Sequence, residues 1–270
     1  MHTIPVILAV TALSGLYTSS WGAYKDGPWE GFHIQTFPRS VFFSIGIAIF
    51  LLIGPADISQ RFQSLPLLHI FLLVMGIERM ITEVYKACFR DSDQSIFAIP
   101  QRMAFFGKLV DSKFLRFITG LLLMSIIVTI PFLTLKVSSF LINTMVAFLT
   151  GMFICSGGAY KDAPFEGFSP RKFFRSAIVL AIMSPFIYLL GPVELGFLIY
   201  LFGGLERLLV EYYKSYIALS TPGKFRSDLP RIEGAFSRNR HYLHYLAICI
   251  MAFVLILYSF SLYSKLANRS

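Results

Sequence analysis

Residues 21–32 read WGAYKDGPWEGF and residues 157–168 read GGAYKDAPFEGF, with nine of the twelve positions identical. The likeness continues in the same order along the chain. Arg39-Ser40 answers Arg175-Ser176, Gly54-Pro55 answers Gly191-Pro192, and GIERMITEVYK at 76–86 answers GLERLLVEYYK at 204–214. With a small shift, Pro100 and Phe106 answer Pro230 and Phe236. Chance does not place so many matches in one order, so the chain reads as a duplication with halves 1–136 and 137–270. The first copy carries nine more residues between its Gly-Pro and its Glu-Arg, near Ser59 to Ser64. A turn outside the membrane accepts such an insertion at little cost.

Composition says what is duplicated. The chain has 270 residues, 56% of them apolar and 14% charged, and its mean hydropathy is +0.66. Soluble domains carry about 25% charged residues, which excludes an ordinary cytosolic enzyme, and disorder requires low hydrophobicity. A helix needs about 20 mostly apolar residues to cross the hydrocarbon core. Eight stretches are candidates: 3–22, 40–56, 65–87, 115–135, 138–158, 173–190, 193–217 and 242–264. The second is short and stops at Gly54-Pro55; the sixth stops at Gly191-Pro192.

The net charge of +9 then reads as topology and not as nucleic-acid binding. Of the 24 Lys and Arg, Arg79 and Arg207 lie inside spans, and Arg61, Lys136, Lys265 and Arg269 fall on one side of an eight-span layout. All the others fall in the four long connections on the opposite side. That bias places those connections in the cytoplasm and both termini outside. Four spans per copy is an even number, so both copies insert the same way up. The expected fold is an all-α integral membrane protein of eight transmembrane helices, built as two parallel four-helix repeats about a pseudo-two-fold axis along the membrane normal.

Two charged pairs sit within predicted spans. Glu78-Arg79 lies near the middle of the third and Glu206-Arg207 near the middle of the seventh, followed by Glu83 and Glu211. Arg79 and Glu83, like Arg207 and Glu211, are spaced i, i+4 and so share a helix face. An ionisable group at the bilayer centre costs about 2.5–3.5 kcal/mol on insertion scales, so these residues face the bundle interior or a wet cavity. Gly76 and Gly204 just before them allow a neighbouring helix to come close. One reading is a pair of salt bridges that lock the halves together; the other is a polar site on the pseudo-two-fold axis.

The repeated AYKDxPxEGF signature begins where the first and fifth spans end. Tyr24 and Tyr160 read as interfacial anchors. Pro28 and Pro164 read as helix stops, and the segment as a turn folded into the bundle mouth. Arg39 and Arg175 open the second and sixth spans, where a helix N-terminus favours anions. With Lys25 and Lys161 they form two equivalent candidate phosphate or carboxylate sites; snorkelling anchors are the plainer reading. The acids Asp26, Glu30, Asp162 and Glu166 are not needed for topology, so they join the candidate site. The connections 94–116 and 224–241, with Arg102, Phe105, Phe106, Lys108, Arg226, Arg231, Phe236 and Arg238, read as interfacial segments on an anionic leaflet.

Three functions compete. A transporter of an anionic solute or lipid headgroup, with proton exchange at Glu78 and Glu206, fits matched charges in both copies. A membrane enzyme acting on a lipid or isoprenoid phosphate would hold phosphate with Lys25, Arg39, Lys161 and Arg175, and use the signature acids as base or magnesium ligands. A scaffold would use the charged pairs as glue. No nucleophile elbow, P-loop or zinc spacing occurs, and Cys88, Cys155 and Cys249 are far apart. The sequence therefore names membrane lipids and an anionic molecule as partners, with no cofactor and no metal.

Overall fold

The structure, a computed structural model, describes residues 2–91, 94–218, 224–226, 228–230, 232 and 234–267. Arg231 and Arg269 lie outside the described residues. The chain is 77% helical, which fixes the all-α class. The N-terminal half contains α1 (Ile4–Glu30), α2 (Arg39–Ile53), α3 (Ala56–Ser64), α4 (Leu67–Val84) and α5 (Lys113–Thr129). The C-terminal half contains α6 (Phe140–Glu166), α7 (Pro170–Leu190), α8 (Leu195–Glu206), α9 (Ala235–Asn239) and α10 (His241–Ala267). Wider π-helical turns extend α4 through Tyr85–Phe89 and α8 through Arg207–Glu211 and Tyr213–Ile217.

Among the described residues, five helical segments are long and apolar enough to cross a membrane: α1, α5 with its terminal turn, α6, α7, and the run Phe236–Ala267 that includes α10. They make this a chain compatible with a multi-pass membrane protein. The second expected span is α2, an apolar helix of 15 residues. At 1.5 Å per residue it reaches about 22 Å, short of the roughly 30 Å hydrocarbon core. The third and seventh expected spans are α4 and α8, which carry the charged pairs.

Three local expectations change. First, Pro28 and Pro164 do not end their helices. α1 and α6 are both 27 residues long and run through these prolines to Glu30 and Glu166. A helical proline removes the N–H that would bind the carbonyl four residues earlier, here that of Tyr24 or Tyr160. Arg240 Nη1 donates to the freed Tyr24 carbonyl at 3.4 Å. The helices stop instead at Gly31 and Gly167, both at φ +80°, a region costly for any residue with a Cβ. Second, the nine-residue insertion is no plain turn: it forms α3, which buries Ile58, Ser59 and Phe62. Third, α7 starts at Pro170, so Arg175 stands in its second turn and not at its N-terminus, whereas Arg39 is the first residue of α2.

The core lies where α4 and α8 cross. A Cβ on Gly76 would collide with the Tyr200 carbonyl, and one on Gly204 with the Leu72 carbonyl. Backbone therefore meets backbone here, and the side chains just beyond must face one another. Gly15 lies against the Ser40–Val41 backbone in the same way, and Gly151 against Ser176–Ala177. These contacts clamp α1 on α2 and α6 on α7. Short antiparallel pairs finish the connections: Ala104–Phe105 (β1) with Lys108–Leu109 (β2), and Lys136–Val137 (β3) with Val193–Glu194 (β4).

Candidate functional site

Arg79 and Arg207 follow the crossing glycines by three residues, so each guanidinium stands on the face that meets the other helix. Arg79 donates to Glu206, and Arg207 donates to Glu78. Each carboxylate also accepts a hydroxyl from its own half: Ser40 Oγ lies 3.0 Å from Glu78 Oε1, and Ser176 Oγ lies 2.6 Å from Glu206 Oε1. The two acids are essentially dry. Arg207 is 6% exposed and Arg79 20%.

This crossed pairing replaces the i, i+4 pairing within each helix. Glu83 turns outward and takes Lys86 at 3.1 Å. Glu211 takes Lys214 at 3.0 Å and Lys25 of α1 at 3.5 Å. The reason is the crossing itself. A carboxylate across a backbone-to-backbone contact is dry and close, so its field on the guanidinium exceeds that of a hydrated acid one turn along. In α8 the wide turn at Arg207–Glu211 also shifts the α-helical spacing on which the expectation rested.

Beside each ion pair opens a polar cavity. The first, about 190 Å³, is lined by Asp26, Glu30, Arg39, Ser40, Glu78 and Lys86, and by Arg207 from the other half. The second, about 160 Å³, is lined by Asp162, Glu166, Arg175, Ser176, Glu206 and Lys214, and by Arg79 from the other half. Position for position these are matched residues of the two similar sequences. The first cavity adds Arg90 and Lys224; the second adds Lys172. Lys224 Nζ lies 2.6 Å from Asp26 and 3.8 Å from Glu30, and Lys172 lies 3.1 Å from Glu166.

Several polar atoms on these walls lack a protein partner. Ser19 Oγ, Trp21 Nε1 and Asp26 Oδ1 are buried around the first cavity, and Arg175 Nε around the second. A buried unsatisfied group costs about 1–3 kcal/mol, so such groups mark places where a polar occupant is stabilised. Neither Arg39 nor Arg175 is in an ion pair with any described residue.

Ten of the candidate residues thus line the cavities: Asp26, Glu30, Arg39, Glu78, Arg79, Asp162, Glu166, Arg175, Glu206 and Arg207. Four do not. Lys25 turns to Glu211 and the Trp21 ring, Lys161 donates to Gln101 Oε1 at 3.3 Å, and Glu83 and Glu211 hold the lysines above. Sequence reasoning passed over Ser40 and Ser176, although the matched Arg-Ser dipeptides signal them. It also passed over Lys86 and Lys214, the matched last residues of the Glu-Arg motif. Lys224 had no such signal. Among the described residues no group of three or more His, Cys, Asp or Glu is placed to hold a metal ion. Comparison of the chain with protein families, curated proteins and solved structures finds no match.

Proposed function

We propose that this chain is a multi-pass membrane carrier of two parallel four-helix halves, eight spans in all, with one polar site per half for an anionic solute or lipid headgroup. The observation that carries the reading is the pair of matched cavities, each completed by an arginine from the opposite half. An arginine held by one carboxylate keeps further donors for an anion. Arg39 and Arg175 supply a second guanidinium at each site. An anion that draws Arg207 from Glu78, or Arg79 from Glu206, leaves a buried carboxylate that favours a proton, which is how proton exchange would accompany binding. The bias of basic residues orients the cavities and long connections toward the cytoplasm and both termini away from it.

The test is flux. Purified protein in liposomes should accelerate movement of radiolabelled inorganic phosphate or of a fluorescent short-chain phosphatidic acid. The double substitution Arg39→Gln, Arg175→Gln, which leaves both crossed ion pairs intact, should lower that flux at least about tenfold, the loss of one charged hydrogen bond at each site. Flux no faster than in empty liposomes, or unchanged in the variant, removes the reading.

One observation favours a second reading, an enzyme acting on a lipid or isoprenoid phosphate. Asp26 Oδ1 is buried and unpartnered beside Lys224 and Arg39, a placement suited to a base next to a phosphate. That reading requires a magnesium-dependent product from native lipid extract, lost in Asp26→Asn, with no flux.

A further inference from the structure

A second cluster of charge lies away from both cavities, at the start of α5. Arg116 is 3% exposed, yet its Nε and Nη1 have no hydrogen-bond partner in the protein. It stands in the first turn of a 17-residue helix. Ser112 caps that helix by accepting from the Leu115 N–H at 3.2 Å, and the earlier N–H groups of the turn have no partner within the helix. Gly120, one turn further on, lets Phe89 and Cys88 press against α5, and this holds Arg116 in place. Its one acidic neighbour among the described residues is Asp91, at 3.6 Å. Asp91 is already shared with Lys113 at 3.0 Å and Arg102 at 3.2 Å. The hydrogen bond from Lys113 holds the Asp91 carboxyl below the usual carboxylate range, so Asp91 stays charged and still leaves a cationic excess. Arg116, Lys113 and Asp91 line a cavity of about 430 Å³ whose other walls include Phe89, Phe114 and Phe117. Phe114 is 76% exposed, and Phe89 meets Phe117 edge to face at 5.7 Å.

We propose that this cluster is a binding site for an anionic phospholipid: Arg116, Lys113 and the first turn of α5 hold the phosphate, and the acyl chains lie over Phe114 and Phe117. The charge and the free N–H groups would suit any phosphate. The exposed aromatic collar, on a helix apolar enough to cross a membrane, selects the lipid-borne one. The site shares no residue with the two polar cavities, so it stands or falls separately from the transport reading.

Native mass spectrometry of the full-length protein in mild detergent tests it. Dioleoyl phosphatidic acid, dioleoyl phosphatidylcholine and inorganic phosphate are titrated in parallel. Phosphatidic acid should be retained in preference, and Arg116→Gln should weaken its retention about tenfold while leaving phosphatidylcholine unchanged. Because Arg116 is buried, Lys113→Gln is the companion variant. Its side chain is 79% exposed, and its loss should weaken retention about threefold without harming the fold. Retention of phosphatidic acid that both variants leave unchanged overturns the site. Displacement of phosphatidic acid by inorganic phosphate at equal concentration assigns the cluster to a free anion and overturns the lipid.

Discussion

α1 and α6 are equally long, end on the same glycine conformation and carry the same internal proline, yet they meet different surroundings. Tyr17 of α1 is fully buried, and its hydroxyl donates to the Leu208 carbonyl at 2.7 Å. The matching residue of α6 is Phe153, which is 66% exposed. α10 lies along α1, whereas α6 packs on α7 and α8, and α5, the counterpart of α10, packs on the end of α4. The ion pairs repeat the contrast. The Trp21 ring covers the Arg207 guanidinium at 5.4 Å, but the aligned position of the similar stretch 157–168 is Gly157, and Arg79 is the more exposed arginine. A shared backbone plan thus carries one dry lock and one wetter lock. The wetter pair, Arg79–Glu206, is the one expected to open first.

The crossing of α4 and α8 is common to both halves, so breaking it should have the largest effect. Gly204→Val drives a side chain into the Leu72 carbonyl. It should cost more than about 3 kcal/mol, beyond ordinary overpacking, because backbone cannot yield as a side chain does. Gly203→Val, whose Cβ would meet only the Gly76 Cα at 3.8 Å, is the control and should fold. Thermal unfolding in detergent separates the two. Next come the acids. Glu78→Gln strands the dry Arg207 and should cost about 3–5 kcal/mol. Glu206→Gln should cost less, about 1.5–3 kcal/mol, since the freed Arg79 reaches water. Equal losses would erase the distinction between the locks.

That the charges of the two Glu-Arg stretches belong inside the protein, with glycines just before them, was legible because charge and small residues in apolar stretches admit few explanations. The sequence did not show which arginine meets which acid. Helical periodicity encodes neighbours along one helix, whereas Arg79 finds Glu206 across a crossing that no spacing records. Pro28 and Pro164 misled for a related reason. Their cost falls on a single carbonyl, and Arg240, distant in sequence, serves that of Tyr24. The cavity walls were legible where the two similar stretches of sequence share the residue, as at Asp26 and Asp162. They were hidden where no matching residue exists, as at Lys224.

Tyr17 tests whether the burial of α1 is a matter of packing or of one hydrogen bond. Tyr17→Phe keeps the ring and removes the donor to Leu208, and should cost about 1–2 kcal/mol in detergent unfolding. Phe153→Tyr adds a hydroxyl to an exposed ring and should change stability by less than about 0.5 kcal/mol. A large effect at residue 153 would mean that α6 is covered in the working protein as α1 is here.

A gain smaller than the Tyr17 loss is the most direct probe of the locks. A Cβ at Gly157 would meet nothing within 4 Å, so the site has room for a side chain. Gly157→Trp recreates beside Arg79 the indole that Trp21 offers Arg207. Any residue replacing glycine in a helix gains backbone propensity, so Gly157→Ala is the reference. Relative to it, the tryptophan variant should be more stable by about 0.5–1 kcal/mol, the range of a partly exposed cation–π contact. On the proposed carrier function, the same change should slow anion flux if opening of the Arg79–Glu206 pair limits it. Added stability without slower flux would place the rate-limiting opening at the Trp21-covered pair instead.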